Sequence, residues 1–72
     1  MDIIKYVKLC CLKQNDISLR QAAIKAGITP QNLSNKIARN SFYVRDLENL
    51  ANALDSDLEI KFIDRKTGKP II

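Results

Sequence analysis

Histidine and tryptophan are missing from this 72-residue chain, and glycine, proline and cysteine occur twice each. The missing histidine removes the side chain used most often as a general base and as a metal ligand. Two glycines are too few for a glycine-rich phosphate loop. Cys10 and Cys11 are neighbours, so neither a second pair at metal-ligand spacing nor a distant disulfide partner exists. They are expected to be free thiols on or beside a helix face. With no nucleophile and base at motif spacing, the chain is not expected to be an enzyme or to hold a cofactor or metal. No apolar run reaches the roughly 20 residues that cross a bilayer, and Met1-Asp2-Ile3-Ile4-Lys5 lacks the layout of a signal peptide. A cytoplasmic protein with no membrane partner is therefore expected.

What is present describes a soluble globular chain: 46% hydrophobic and 28% charged residues exclude a disordered tail. There is room for one domain, residues 1–72, with little space for an effector pocket, so no small-molecule ligand is expected. A domain of this size buries only about 60% of its unfolded surface, which makes a second subunit a natural source of stability. The net charge of +4 is unevenly spread. Between Ile17 and Arg45 lie Arg20, Lys25, Lys36, Arg39 and Arg45 and no acid; between Asp46 and Asp64 lie six acids and only Lys61. One part of the chain is suited to meet an anion and the other is not.

The apolar residues Ile3, Ile4, Val7, Cys10 and Cys11 recur at helical spacing, and Asn15-Asp16 interrupts them. A second helix opens at Ser18, where serine followed by Gln21 forms a capping box, and closes at Gly27, a residue suited to a left-handed helix terminus. Thr29-Pro30 starts a third helix, 29–39, with threonine as cap and proline in the first turn. Leu33 and Ile37 are expected to face inward together, leaving amides and bases outside. A fourth helix spans roughly 44–54, with Leu47, Leu50, Ala51 and Leu54 as its stripe and Phe42 placed to staple against Leu47. In 58–63 the period changes to two, with Leu58, Ile60 and Phe62 on one face, which predicts a strand; Thr67-Gly68 turns, and 70–72 can return as a short edge strand.

Two short helices joined by a tight glycine-containing turn form the pattern of a helix-turn-helix. Ala23 is small where the helices cross, Gly27 permits the turn, Ile28 plugs the space beneath it and Leu33 anchors the second helix. The segment 18–37, from Ser18-Leu19-Arg20-Gln21 through Gly27-Ile28-Thr29-Pro30 to Leu33-Ser34-Asn35-Lys36-Ile37, resembles the Cro/CI (Xre-like) family of phage repressors and small bacterial regulators. With the helix at 44–54 the resemblance covers about 50 residues. It implies a mainly α, four-helix lambda-repressor-like domain, here with a short C-terminal strand or hairpin. It also implies a sequence-specific regulator, a repressor by expectation, that binds double-stranded DNA as a homodimer. Residues corresponding to Pro30, Gln31 and Ser34 approach bases in the family, and those corresponding to Asn40 and Ser41 approach the backbone. Many members carry a phosphate-clamping glutamine where this chain has Leu19, and Arg20 is the expected substitute.

Side-chain chemistry leads to the same assignment. Glutamine and asparagine match the donor and acceptor on the adenine edge. Gln31 and Asn35, four apart on one face, are therefore expected to read bases, together with Ser34, which the resemblance implies. Asn32, one position round, is either a further base reader or a partner in the helix cap. Lys36 and Arg39 are expected to hold phosphates with Arg20, Asn40 and Ser41. Leu58, Ile60 and Phe62 are expected to assemble two subunits through an exposed strand edge, the alternative being a private hairpin that closes the core of a monomer. A different class of function, an antitoxin or an inhibitor of a nucleic-acid enzyme on the same fold, is the competing expectation.

Overall fold

The computed structural model describes residues 2–72, and among these it forms four α-helices and no sheet. Each helix starts where a short polar side chain can accept from an otherwise free amide. α1 (Ile3–Asn15) is capped by Asp2, whose Oδ1 accepts from the Lys5 amide at 3.1 Å. α2 (Leu19–Lys25) has a reciprocal cap: Ser18 Oγ accepts from the Gln21 amide at 3.1 Å and Gln21 Oε1 from the Ser18 amide at 2.9 Å. α3 (Pro30–Arg39) starts on Thr29, whose Oγ1 accepts from the Asn32 amide at 3.2 Å, with Pro30 in the first turn where no donor is needed. α4 (Val44–Ala53) opens with the Asp46 carboxylate reaching back to the Tyr43 amide at 2.9 Å.

Left-handed residues stop the chain where the next turn must begin. Asp16, Asn40 and Asp55 have φ of 51°, 51° and 54°, and Gly27 has φ of 81°. Beyond these points the Ile28 amide donates to Ala23 O at 2.8 Å, Ser41 to Lys36 O at 3.0 Å and Ser56 to Ala51 O at 2.9 Å, satisfying carbonyls that the helices leave open. Aspartate and asparagine tolerate this conformation better than other residues with a Cβ. Asn40 therefore has a backbone role in addition to any contact its side chain makes.

α2 is the centre of the molecule and touches α1, α3 and α4. Its Ala22 and Ala23 are fully buried, and their small size allows the neighbouring helices to approach. Around them sit Cys11 of α1, Leu19, Ile28, Leu33 of α3, Leu50 of α4 and Leu54 at the C-terminal cap of α4. Ile4, Val7, Cys10, Ile17, Ala26 and Phe42 close the rim. Both cysteines are free thiols, Cys10 half-buried and Cys11 buried. Burial, aided by the neighbouring Cys10, pushes the Cys11 thiol above its ordinary pKa, which suppresses the reactive thiolate.

Two expectations are corrected. Ile37 does not share the interior with Leu33: it is 38% exposed. Only the first half of α3 lies on the core, so a residue one turn further on reaches its edge. The predicted strand at 58–63 does not form either. Among the described residues the C-terminal pairing is a single antiparallel bridge between Ile63 and Pro70, flanked by Asp64 N–H to Lys69 O at 2.8 Å and Ile71 N–H to Phe62 O at 2.9 Å. Alternating sequence needs a partner strand, and the returning segment supplies three residues, one of them a proline with no amide to donate. Leu58, Ile60 and Phe62 are consequently exposed, Phe62 at 78%. The molecule is 41 Å along its longest axis, with a radius of gyration of 13.5 Å. A compact chain of the same length would have about 11 Å.

Candidate nucleic-acid interface

α3 turns Leu33 into the core, keeps Lys36 half-buried and leaves its other residues exposed. Gln31, Asn32, Ser34, Asn35 and Arg39 are exposed. The positions follow from helical geometry: with Leu33 fixed inward, residues two positions either side of it lie on the opposite half of the helix. Gln31 and Asn35 are one turn apart and share a face, with Ser34 beside them. The Asn32 backbone amide is used by the Thr29 cap while its side chain remains exposed, so cap partner and outward-facing amide are compatible in one residue.

Arg20 comes from the first turn of α2, yet it joins this face. Together with Pro30, Gln31, Leu33 and Ser34 it lines one open concavity at the start of α3. The fold thus brings Arg20, whose guanidinium carries a fixed fork of donors, to the same concavity as two of the polar residues singled out on α3. Arg39 lies at the opposite end of the helix and is exposed, followed by exposed Asn40 and half-buried Ser41. Lys25 and Arg45 are also exposed.

Lys36 is arranged differently from these. Its Nζ lies 2.8 Å from Asp46 Oδ2, with the two side chains only 19% and 14% exposed. The same ammonium stands 5.1 Å from the centroid of the Tyr43 ring, within cation–π range. Asp46 in turn accepts from the Tyr43 amide, so one carboxylate caps α4 and ties it to α3. Lys36 is therefore a structural cation in this state, and its charge is largely neutralised by a partner. Sequence reading missed Asp46 because it grouped the residue with the acidic C-terminal third. The signal it overlooked was local: Asp46 stands three residues after Tyr43, the spacing of a reciprocal cap.

Burial pushes the Asp46 carboxyl upward, but the hydrogen bonds from Lys36 and the Tyr43 amide, with the charges of Lys36 and Arg45, outweigh it and hold the pKa below its ordinary value. A carboxyl lowered on folding contributes stability above its unfolded pKa of about 3.9, and that contribution is lost as pH falls through the lower folded value. Asp46→Asn is accordingly expected to cost about 1.5–3 kcal/mol at neutral pH, the range for hydrogen bonds to charged groups. The difference from the parent protein should shrink as pH falls below about 4, first because the carboxyl of the unfolded chain takes up a proton and, at lower pH, because the folded one does. Thermal melts at pH 7 and pH 3 check this; a constant difference would mean that the charge of Asp46 is not what holds the junction.

No helix among the described residues is long and apolar enough to cross a membrane. Comparison of the chain with family models, with curated proteins and with solved structures finds no match.

Proposed function

We propose that this chain is a sequence-specific, double-stranded DNA-binding regulator of the Cro/CI type, in which α2 and α3 act as a helix-turn-helix and α3 enters the major groove. The observation that carries the reading is the outer surface of α3: Gln31, Asn32, Ser34 and Asn35 exposed on a helix fixed from beneath by Leu33, with Arg20 at one end and Arg39 at the other. A major groove about 12 Å wide admits an α-helix, and amide side chains read adenine there. The acid-free stretch from Ile17 to Arg45 contains this whole surface, and the Asp46 carboxylate that reaches α3 from α4 is taken up by Lys36 and the Tyr43 amide, which leaves Arg20 and Arg39 to meet a phosphate backbone. Gln31, Ser34 and Asn35 read bases, with Asn32 beside them; Arg20 and Arg39 bind phosphate, and Asn40 and Ser41 add neutral donors at the end of the helix. In a homodimer the two α3 helices would sit about 34 Å apart and read the halves of a near-palindromic site.

Selection of bound sequences from a random duplex pool tests the reading directly, because a consensus and its symmetry emerge together. Recovery of unselected sequence would overturn it. The division of labour within the surface has its own test. Gln31→Ala is expected to remove about 1–3 kcal/mol of discrimination at one base pair per half-site, while Arg39→Ala weakens all sequences alike. Competition titrations with matched and mismatched duplexes separate the two effects, and identical behaviour of both variants would contradict these roles.

A further inference from the structure

We infer that Lys36 is a latent phosphate ligand of the proposed DNA-binding surface, and that Asp46, on α4, limits the affinity of that surface by keeping Lys36 from it. This rests on the proposed function and adds to it a residue outside the helix-turn-helix.

Of the five bases between Ile17 and Arg45, Lys36 alone is not exposed. Its position on α3 does not require this. At about 100° per residue, Lys36 stands about 60° round the helix from buried Leu33 and about 60° from exposed Arg39, on the flank that Arg39 occupies. A flexible four-carbon stem lets its ammonium turn toward either side.

The side it takes is fixed by Asp46. Nζ lies 2.8 Å from Oδ2 with both side chains largely covered, and the same oxygen accepts from the Tyr43 amide at 2.9 Å. The carboxylate therefore cannot follow Lys36 outward without uncapping α4. A phosphate that approached Lys36 would compete with an anchored anion for an ammonium already neutralised, and such a contact releases little counterion. The remaining neighbour, the Tyr43 ring 5.1 Å away, is 68% exposed and is a weaker partner than a carboxylate in contact. Removing the charge of Asp46 alone thus frees the lysine. Glu48, the other acid of α4, forms no ion pair among the described residues.

Asp46→Asn tests this, since the amide keeps an oxygen for the Tyr43 N–H while losing the charge. The slope of log affinity against log salt should steepen by about 0.9 per protomer. With the two salt lines converging near about 1 M, binding at about 0.1 M should tighten roughly eightfold per protomer. Consensus and scrambled duplexes should gain by the same factor, because a phosphate contact carries no sequence information. Asp46→Asn combined with Lys36→Gln should return to the parent slope. Glu48→Gln, which removes an acid without releasing a base, should leave the slope where it was.

Equal gains from Asp46→Asn and Glu48→Gln would assign the effect to net charge, and a gain confined to the consensus would make Lys36 a base reader; either overturns the inference. The parent protein supplies an answer that requires no variant to fold: a slope near about −5.4 for a dimer would mean that Lys36 already serves phosphate beside Asp46, which also overturns it. A parent with no affinity for any duplex would overturn the proposed function and this inference with it. A parent that binds, with a slope that Asp46→Asn leaves unchanged, would overturn this inference alone.

Discussion

Raising monovalent salt from 50 to 200 mM is expected to weaken binding to a specific duplex about a hundredfold. Each phosphate neutralised by a cation contributes about 0.9 to the slope of log affinity against log salt. If Arg20 and Arg39 are the charged phosphate ligands, a dimer makes about four such contacts and the slope is close to −3.6. Counting Lys36 as well would raise the contacts to about six, the slope to about −5.4 and the loss to more than a thousandfold. The ion pair of Lys36 with Asp46 favours the smaller figure, because a lysine already paired releases little further counterion on binding. Fluorescence anisotropy across a salt series distinguishes the cases. A slope near zero would remove the electrostatic basis of the proposed function, and the steeper slope would mean that Lys36 leaves Asp46 when DNA arrives.

Leu50→Ala is expected to cost about 2–5 kcal/mol, the largest loss from a single side chain in this protein. Leu50 is 1% exposed and belongs to the cluster formed by Cys11, Ala22, Ala23 and Leu33. The alanines on α2 cannot expand into the space left behind, so a cavity remains. Domains of about this length have roughly 0.05–0.15 kcal/mol of stability per residue, about 4–11 kcal/mol here, so the substitution removes a large share. A melting temperature lower by about 8–40 °C follows from the 4–8 °C that each kcal/mol is worth in a small domain. Ile37→Ala, at the edge of α3 and 38% exposed, should cost under about 1 kcal/mol by comparison. Equal losses from the two substitutions in thermal melts would mean that the core is not centred on α2.

The helices were largely legible in the sequence because their ends are fixed locally. Ser18 with Gln21, Thr29 with Pro30, and the left-handed position at Gly27 each act within about four residues, and the structure begins and ends α2 and α3 at these signals. The outward amides of α3 were legible for the same reason, since burying Leu33 settles where its neighbours point. Legibility failed where a residue's state depended on a distant partner. Ile37 has the right spacing for a buried stripe, but α3 leaves the core before reaching it. The 58–63 segment has the alternation of a strand and no strand to pair with. The apolar side of α1 was overlooked because Ile3, Ile4, Val7, Cys10 and Cys11 already supplied a core face, leaving Tyr6, Leu9 and Leu12 as its unexplained remainder.

The sequence by itself determined the turns, the caps, the four helices and the segregation of charge, since each depends on backbone preference or on side chains a few positions apart. Tertiary structure alone decided that Arg20 lines the same concavity as Gln31 and Ser34, that Asp46 takes Lys36 out of the exposed cation set, and that the apolar residues of the C-terminal arm stay exposed. The reason is physical: a hydrogen bond within one helical turn is fixed when the turn forms, whereas a contact between helices exists only after packing has chosen which faces meet.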